Sequence, residues 1–248
     1  MADDRNTLAP KGRADPFWNS VASFGIDDIF VLPEWISELK GEKTPSVTGE
    51  KGGNIPEGLE ALTSRVGDCQ ACRLCEKRNS IVFGGGNPSA GILFIGEGPG
   101  ANEDIQGEPF VGRAGKLLDK ILEAIDLNRD SVYITNIVKC RPPGNRNPSP
   151  DEVAACWWIL EEQIRIMKPG IIVSLGAPAS RTMTGSKEGI GKLRGSIHRY
   201  GDIPVLPTYH PAALLRTQAL KRPVWDDMKK LKKLLDELNL PRAGKDRA

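Results

Sequence analysis

The stretch SPDEVAACWWILEEQIRIMKPGIIVSLG, residues 149–176, leads from a helix into a strand with almost no connection between them. Its S-P-D-E start combines a capping box with a proline in the first turn, which predicts a helix beginning at Ser149. Lys-Pro-Gly at 168–170 ends that helix. The β-branched run that follows, Ile171–Gly176, predicts a buried strand.

The same alternation of strand and helix continues on both sides of this stretch. Short apolar runs predict further strands at Gly91–Gly96, at Ser131–Val138 and within IPVLPTYHP. Apolar residues at helical spacing predict helices at Ala114–Ile125 and in the closing segment RPVWDDMKKLKKLLDEL. An α/β order of this kind predicts a mostly parallel sheet that is covered by helices on both faces.

This topology also predicts where a ligand binds. In open α/β sheets ligands bind outside the carboxyl ends of the strands. The residues expected at that edge are the Gly96–Gly100 loop, Asn136, Gly176 and His210.

Composition excludes some classes of protein. No apolar run in the 248 residues approaches the roughly 20 that span a membrane, and the start MADDRNTLAP lacks the apolar core of a secretory signal. We therefore expect a cytoplasmic protein with no membrane partner. The net charge of +2 does not indicate a nucleic-acid binder, although basic residues gather locally in KCRPPGNR and LLRTQALKR.

Shifts in composition divide the chain into three parts. Residues 1–55 read as an extension ending in a Gly/Pro-rich linker, residues 56–240 as the main folded domain, and residues 241–248 as a basic tail. The extension carries Phe, Trp and Ile that could dock onto a partner. We expect the protein to be a monomer.

Five cysteines suggest a metal centre. Cys69, Cys72 and Cys75 form a C-x2-C-x2-C run, and Cys140 and Cys156 flank RPPGNRNPSP. An odd number in a chain expected to be cytosolic argues against disulfides, and both zinc and an iron–sulfur cluster stay open. Four thiolates complete either site, so one cysteine is spare, and Cys75 is our candidate.

The glycine-rich stretch GEGPGANEDIQGEPFVGRAG, Gly96–Gly115, fits neither common nucleotide loop. Pro99 interrupts a dinucleotide fingerprint, and no Gly-Lys-Ser/Thr follows. However, GEGPGANEDIQGEPFVGRAGKLL, YITNIVKCRPPGNRNPSPDE and YHPAALLR, together with DCQACRL and VFGGGNPSA, closely resemble the motifs of the iron–sulfur (family 4) uracil-DNA glycosylases. The resemblance runs from about Cys69 to the last helix.

The resemblance implies a fold, a cofactor and an activity. The fold is a three-layer α/β/α arrangement with a central four-stranded, mostly parallel sheet. The cofactor is a [4Fe–4S] cluster, whose ligands map to Cys69, Cys72, Cys140 and Cys156. The activity is that of a DNA-repair hydrolase, which flips uracil out of single- or double-stranded DNA and cleaves its N-glycosidic bond to leave an abasic site.

Several residues suit a pocket for a flat, polar base. Phe110 offers a stacking face, and Asn136 has an amide donor and acceptor for uracil O4 and N3–H. Backbone groups of the loop Glu97–Pro99, in which Gly98 has no side chain to obstruct them, approach the base edge. By resemblance, Glu103 helps to exclude the methyl group of thymine, and His210 donates a hydrogen bond to uracil O2. Whether Glu97, Glu103 or neither of them assists the attacking water stays open.

Other residues suit contacts with DNA. Arg141 and Arg146 lie between the last two cysteines and can reach phosphate. Leu214 and Leu215, beside Arg216, have the mixture that a wedge filling the gap of a flipped base requires. The alternative interpretation is a non-catalytic iron–sulfur DNA-binding or electron-transfer protein. A related subclass, which forms a covalent adduct through a histidine, is disfavoured because residues 137–156 contain none.

Overall fold

The computed structural model describes residues 58–240. The predictions for the extension 1–55 and for the basic tail 241–248 lie outside the described residues. No helix in the described range has the length and apolar character that crossing a membrane requires.

One mixed sheet organises the described residues. Its strands are β1 (Gly85–Gly86), β2 (Ile92–Gly96), β3 (Tyr133–Asn136), β4 (Ile171–Leu175), β5 (His198–Tyr200) and β6 (Ile203–Thr208), in the spatial order β1-β3-β2-β4-β6-β5. The four inner strands β3, β2, β4 and β6 are parallel, which confirms the predicted fold class. The short strands β1 and β5 add an antiparallel edge on either side.

Helices cover the sheet. They are α1 (Leu59–Val66), α2 (Ala101–Gln106), α3 (Arg113–Glu123), α4 (Pro150–Met167), α5 (Ala177–Thr184), α6 (Ile190–Leu193), α7 (Pro211–Arg216) and α8 (Lys221–Glu237). Short 3-10 turns occupy Arg73–Glu76, Arg129–Ser131, Pro143–Asn145 and Gln218–Leu220.

Alternation along the strands divides the core into two clusters, one on each face of the sheet. On β2, Leu93 and Ile95 pack in a cluster with buried residues of α1, α4 and α5. Their neighbours Ile92 and Phe94 pack in a cluster with residues of α3, α7 and α8. All five residues of β2 are buried, as expected for a central strand of a parallel sheet covered on both faces. The three-layer arrangement follows directly.

Helix α4 begins and ends where the sequence predicts. The backbone N–H of Ser149 donates to Glu152 Oε2 at 2.8 Å, completing the capping box. At the other end, Lys168 takes up a left-handed conformation with φ of 46°. Because α4 follows Cys140 by a short loop and carries Cys156, its start determines where the last two cysteines lie.

Strand register brings the ends of the inner strands to one edge. Gly96 at the end of β2 is paired with Asn136 at the end of β3, and Leu175 at the end of β4 is paired with Thr208 at the end of β6. The loops that follow these strands therefore leave the sheet side by side.

Candidate active site

A cavity of about 500 Å³ opens at this carboxyl edge of the sheet. It brings together most of the residues that the sequence predicts for a site: Glu97, Gly98, Pro99, Glu103, Phe110, Asn136, Arg146, His210, Leu215 and Arg216. Gly176 lies just behind it, where a Cβ atom would come within 3.0 Å of the Cβ atom of His210. Arg141 and Leu214 are not among the residues that line the cavity.

The floor of the cavity depends on the absence of a side chain at Gly96. A Cβ atom there would lie 2.4 Å from Asn136 Oδ1 and 2.7 Å from the Phe110 ring. Both distances are far below van der Waals contact, so any other residue would push the ring and the amide apart. Glycine at this strand end allows Phe110 and Asn136 to converge.

Phe110 is held in an unusual backbone conformation. Its φ is 56°, in the left-handed region that a non-glycine residue rarely adopts. Arg129 donates to the carbonyl oxygens of Pro109, at 3.0 Å, and of Phe110, and pairs with Asp119 at 2.8 Å. Gly115 lies so close to Phe110 that a Cβ atom would be 1.6 Å from its carbonyl oxygen. These contacts fix the ring, which is 5% exposed.

Asn136 is almost fully buried, yet its Oδ1 atom has no hydrogen-bond partner among the described residues. Its backbone carbonyl, by contrast, accepts a hydrogen bond from Lys139 Nζ at 2.7 Å. An unsatisfied buried amide oxygen is destabilising by roughly 1–3 kcal/mol. An acceptor left unpaired in the wall of a cavity is available for a donor on a ligand.

Lys139 is itself buried, and its ammonium group donates hydrogen bonds to three acceptors. Besides Asn136, these are Thr135 Oγ1 at 2.6 Å and Gln163 Oε1 at 2.7 Å. Burial lowers the pKa of Lys139 to about 7, opposed by the nearby Cys156 thiol. The network ties the end of β3 to α4.

His210 presents a hydrogen-bond donor to the cavity. The residue caps α7, and its Nδ1 atom accepts from the backbone N–H of Ala212 at 3.1 Å. Burial, assisted by Arg216 and opposed by Glu103, lowers the pKa of His210 to about 4. The ring is therefore neutral near pH 7 and carries its proton on Nε2. Its centroid lies 5.4 Å from that of Phe110.

The two carboxylates of the glycine-rich stretch differ in their surroundings. Glu103, in the first turn of α2, accepts the backbone N–H of Gly112 at 2.8 Å and so links α2 to the start of α3. Burial raises the pKa of Glu97, which makes its carboxylate a stronger base than an exposed one. Glu103 thus has a structural contact to the backbone, whereas Glu97 is distinguished by a pKa that burial raises.

The two leucines predicted to form a wedge differ in exposure. Leu214 is 3% exposed and packs in the core cluster of α3 and α8, where its side chain supports α7. Leu215, one residue further along the helix, is 48% exposed and lines the cavity. A helical turn places adjacent residues on different faces, which the sequence alone did not resolve for this short helix.

The arginines predicted to contact phosphate have protein partners. Arg146 forms two hydrogen bonds with Glu152, at 2.6 and 2.8 Å, and this pairing lowers the pKa of Glu152 to about 2. Even in this pairing, 47% of the Arg146 side chain is exposed, and the residue lines the cavity. Arg141 Nε donates to Asn145 Oδ1 at 2.8 Å. Sequence reasoning missed Arg113, an exposed residue at the start of α3 that also lines the cavity.

The cysteines gather at a second, much smaller cavity. Its volume is about 20 Å³, and its lining includes Cys69, Cys72, Cys140 and Cys156 but not Cys75. In residues 58–240, no three His, Cys, Asp or Glu side chains converge as ligands of a single metal ion.

Hydrogen-bond donors surround these sulfurs. Arg78 donates to the carbonyl of Cys69 at 2.6 Å and to Cys140 Sγ at 3.5 Å, and the backbone N–H of Lys139 donates to Cys156 Sγ at 3.3 Å. Burial raises the pKa of Cys140 to about 11 and that of Cys156 to about 12, so both are thiols unless a metal displaces their protons.

Comparison with known proteins gives consistent matches. The model of the uracil DNA glycosylase superfamily matches residues 83–231. A type-4 uracil-DNA glycosylase of Thermotoga maritima is 47% identical over 183 residues, covering 72% of this chain and 95% of the relative. Similar enzymes of Saccharolobus solfataricus (45% over 188 residues; 72% and 87%) and Archaeoglobus fulgidus (40% over 186; 72% and 94%) bear the same name.

Replacing Gly115 with alanine is expected to destabilise the protein by about 3 kcal/mol or more, because the new Cβ atom would collide with the backbone at Phe110. Urea denaturation measures this. Gly189→Ala is the matched control, since nothing lies within 4 Å of its Cβ position. Its expected loss is below about 1 kcal/mol. Equal losses in the two variants would contradict the tight packing at Phe110.

The ring of His210 is expected to stay neutral, with its proton on Nε2, as the pH falls from about 7 to about 5. The reason is that burial lowers its pKa from 6.5 to about 4, so protonation begins only as the pH approaches that value. Nitrogen-15 NMR of the histidine-labelled protein reports the tautomer directly, and the chain has only two histidines to assign. A cationic His210 ring already at about pH 6 would refute this prediction.

Proposed function

The chain belongs to the uracil DNA glycosylase superfamily and, within it, to the type-4 uracil-DNA glycosylases, and we propose that it releases uracil from DNA by hydrolysing the N-glycosidic bond. One observation carries the proposal for the site: the unpartnered Oδ1 of Asn136 lies in the same cavity as the neutral donor His210 and the Phe110 ring. An acceptor, a donor and a stacking face are what recognition of a flipped uracil requires.

Asn136 selects the base. Its Oδ1 accepts uracil N3–H, and its amide N–H₂ donates to O4. Cytosine reverses this pattern, because it presents an acceptor at N3 and an amino donor at C4. Pairing cytosine would leave buried polar groups unsatisfied, at roughly 1–3 kcal/mol each, which discriminates against it. Lys139 holds the carbonyl of Asn136 and so fixes the residue that makes this choice.

Base release requires charge stabilisation at two places. As the bond between C1′ and N1 breaks, negative charge develops on uracil O2 and positive charge on the sugar. His210 Nε2–H donates a hydrogen bond to O2, and a preorganised donor of this kind is worth roughly 2.7–4 kcal/mol. Because burial lowers its pKa, the ring acts as a neutral hydrogen-bond donor to the leaving base and not as a cation.

Water completes the hydrolysis. Its oxygen bonds to C1′, the electron pair of the broken bond remains with uracil, and one proton of the water must be removed. We assign this proton to Glu97, whose burial raises its pKa and strengthens it as a base. Glu103 instead accepts a hydrogen bond from the backbone of Gly112 and so joins α2 to the start of α3. This contact keeps α2 beside the pocket, where it sterically excludes a base that carries a methyl group.

The surroundings of the cavity suit a DNA strand. Arg113 and Arg216 are exposed side chains on its lining, and Arg146 is half-exposed beside them. They can contact the phosphates on either side of a flipped nucleotide. Leu215 is the apolar side chain positioned to fill the gap in the base stack. Arg141, outside the cavity lining, extends the basic surface.

We propose that the small cavity takes a [4Fe–4S] cluster on Cys69, Cys72, Cys140 and Cys156. The lining of this cavity collects four cysteines from separate segments of the chain, which is the number of ligands that such a cluster requires. Donors from Arg78 and Lys139 to the sulfurs suit thiolates. When bound, the cluster supplies a covalent cross-link. The four residues then fasten the start of α4, and with it Arg146, to the segment after α1.

The proposal also covers the substrate and the partners of the protein. The substrate is uracil-containing DNA, single- or double-stranded, and the enzyme acts as a monomer. Docking of residues 1–55 onto a repair or replication partner stays a prediction from sequence.

The purified full chain is expected to release base from single-stranded oligonucleotides that carry one uracil, and not from matched strands with thymine or cytosine in its place. Alkali-labile cleavage measures release. His210→Ala is expected to lower the rate about 10²- to 10³-fold by removing the donor to O2. Asn136→Asp is expected to abolish uracil release, because an ionised carboxylate cannot donate to O4.

Controls separate the possible failures. His198→Ala, which changes the other histidine of the chain, is expected to keep the wild-type rate because His198 lies in the edge strand β5. If the intact wild-type protein binds DNA but releases no base, the glycosylase proposal is wrong and the protein is a non-catalytic DNA binder.

Replacing Cys140 or Cys156 with serine is expected to remove the brown colour and most of the iron of protein purified without air, because each thiolate ligates one corner of the cluster. Cys75→Ser is the matched control and is expected to keep both, since Cys75 does not line the small cavity. Iron and sulfide analysis measures the result. Colourless wild-type protein that contains zinc would overturn the cluster assignment.

A further inference from the structure

We infer that Asp227, far along the chain in α8, is a positioning residue for His210. Together with Arg194, it holds the end of β6, from which the chain runs directly into the histidine. The inference rests on the proposed function only in assigning His210 to the reaction. The contacts that support it are independent of any ligand.

The carboxylate of Asp227 is fully buried and has three donors. Thr208 Oγ1 donates to Oδ2 at 2.7 Å, Arg194 Nε donates to Oδ2 at 2.9 Å, and Arg194 Nη2 donates to Oδ1 at 2.6 Å. The two Arg194 contacts form a bidentate pair, which fixes both distance and orientation. Asp227 therefore joins three elements of the fold: α8, the loop after α6 and the end of β6.

Both residues that precede His210 are held by this pair. Thr208 is the last residue of β6, and its hydroxyl is bonded to Asp227. The guanidinium of Arg194 lies over the ring of Tyr209, 5.8 Å from its centroid. The backbone carbonyl of Thr208 also accepts the N–H of Gly176 at 2.8 Å, which keeps the strand end in register with β4.

The hydrogen bonds of His210 are local. Its Nδ1 accepts from the N–H of Ala212 and its carbonyl accepts from the N–H of Ala213 at 2.8 Å, and both partners move with the histidine. Its ring also contacts Phe110. The position of Nε2 therefore depends as well on Thr208 and Tyr209, which lead into the turn. A catalytic donor displaced by about 1 Å can lose about 10²-fold in rate, so a firm strand end matters for the reaction.

The burial of Thr208 also supports a positioning role for the pair formed by Asp227 and Arg194. Thr208 is 1% exposed, so its hydroxyl needs a hydrogen-bond acceptor inside the protein, and Asp227 is that acceptor. Val205 and Leu206 on the same strand are buried without such a need. An apolar residue at 208 would leave the strand end without this directional bond.

The experiment compares two neighbouring carboxylates in the full chain. Asp227→Asn is expected to lower kcat for uracil release roughly 10- to 100-fold and to change KM less than about threefold, because the base pocket stays intact while its donor shifts. Asp226→Asn is the matched control: the Asp226 side chain is 51% exposed and forms an ion pair with Lys229 at 2.7 Å, and the variant is expected to leave both constants unchanged.

Two readouts distinguish positioning from general destabilisation. In a His210→Ala background, Asp227→Asn is expected to have no further effect on kcat, since the residue acts through the histidine. Nitrogen-15 NMR is expected to show the His210 ring shifted or mixed in tautomer in Asp227→Asn, but unchanged in Asp226→Asn.

If Asp227→Asn does not fold, Thr208→Val replaces it, because this variant leaves the buried ion pair whole and removes only its bond to β6. It is then expected to show the same loss in kcat and the same His210 signal. Full wild-type kcat with an unchanged His210 signal in the folded variant would overturn the inference, as would an equal loss in the His210→Ala background. A wild-type protein without activity would instead refute the proposed function, and the NMR comparison would still test the positioning role.

Discussion

The close approach of the Phe110 ring and the Asn136 amide across Gly96 is the constraint on which the site depends. It exists because parallel pairing brings the ends of β2 and β3 to the same level, with Gly96 opposite Asn136. A residue with a side chain at that strand end would separate the stacking face from the polar group. The pairing of the strands thus determines where the site lies, and the absence of a side chain at Gly96 allows Phe110 and Asn136 to converge.

Polar side chains outside the cavity lining then hold the residues that line it. Each of the three central residues has such a partner: Arg129 for Phe110, Lys139 for Asn136 and Asp227 for His210. In every case the contact is made to the backbone or to the strand end next to the functional residue. The side chain that lines the cavity therefore stays free to bond with a ligand. Lys139 and Asp227 are fully buried, whereas Arg129 is 35% exposed.

Lys139 also connects the two cavities of the molecule. Its ammonium bonds to the carbonyl of Asn136, while its backbone N–H bonds to Cys156 Sγ and its neighbour in the chain is Cys140. Fastening the cysteines would therefore restrain the strand end that carries Asn136, although the cysteines do not line the larger cavity. The iron–sulfur cluster proposed above would support the site in this way without taking part in the chemistry.

The sequence by itself determined the α/β fold, the limits of α4 and the edge of the sheet where the loops meet, because these follow from local capping, apolar period and topology. It also indicated Phe110, Asn136 and His210 through their motifs. Only the tertiary structure separated Leu214 from Leu215, revealed Arg113 at the cavity and paired Arg146 with Glu152. It alone showed Asp227 beneath the histidine turn. These features depend on contacts between residues distant in the chain, and the direction of a side chain on a short helix or loop is decided by its neighbours in space.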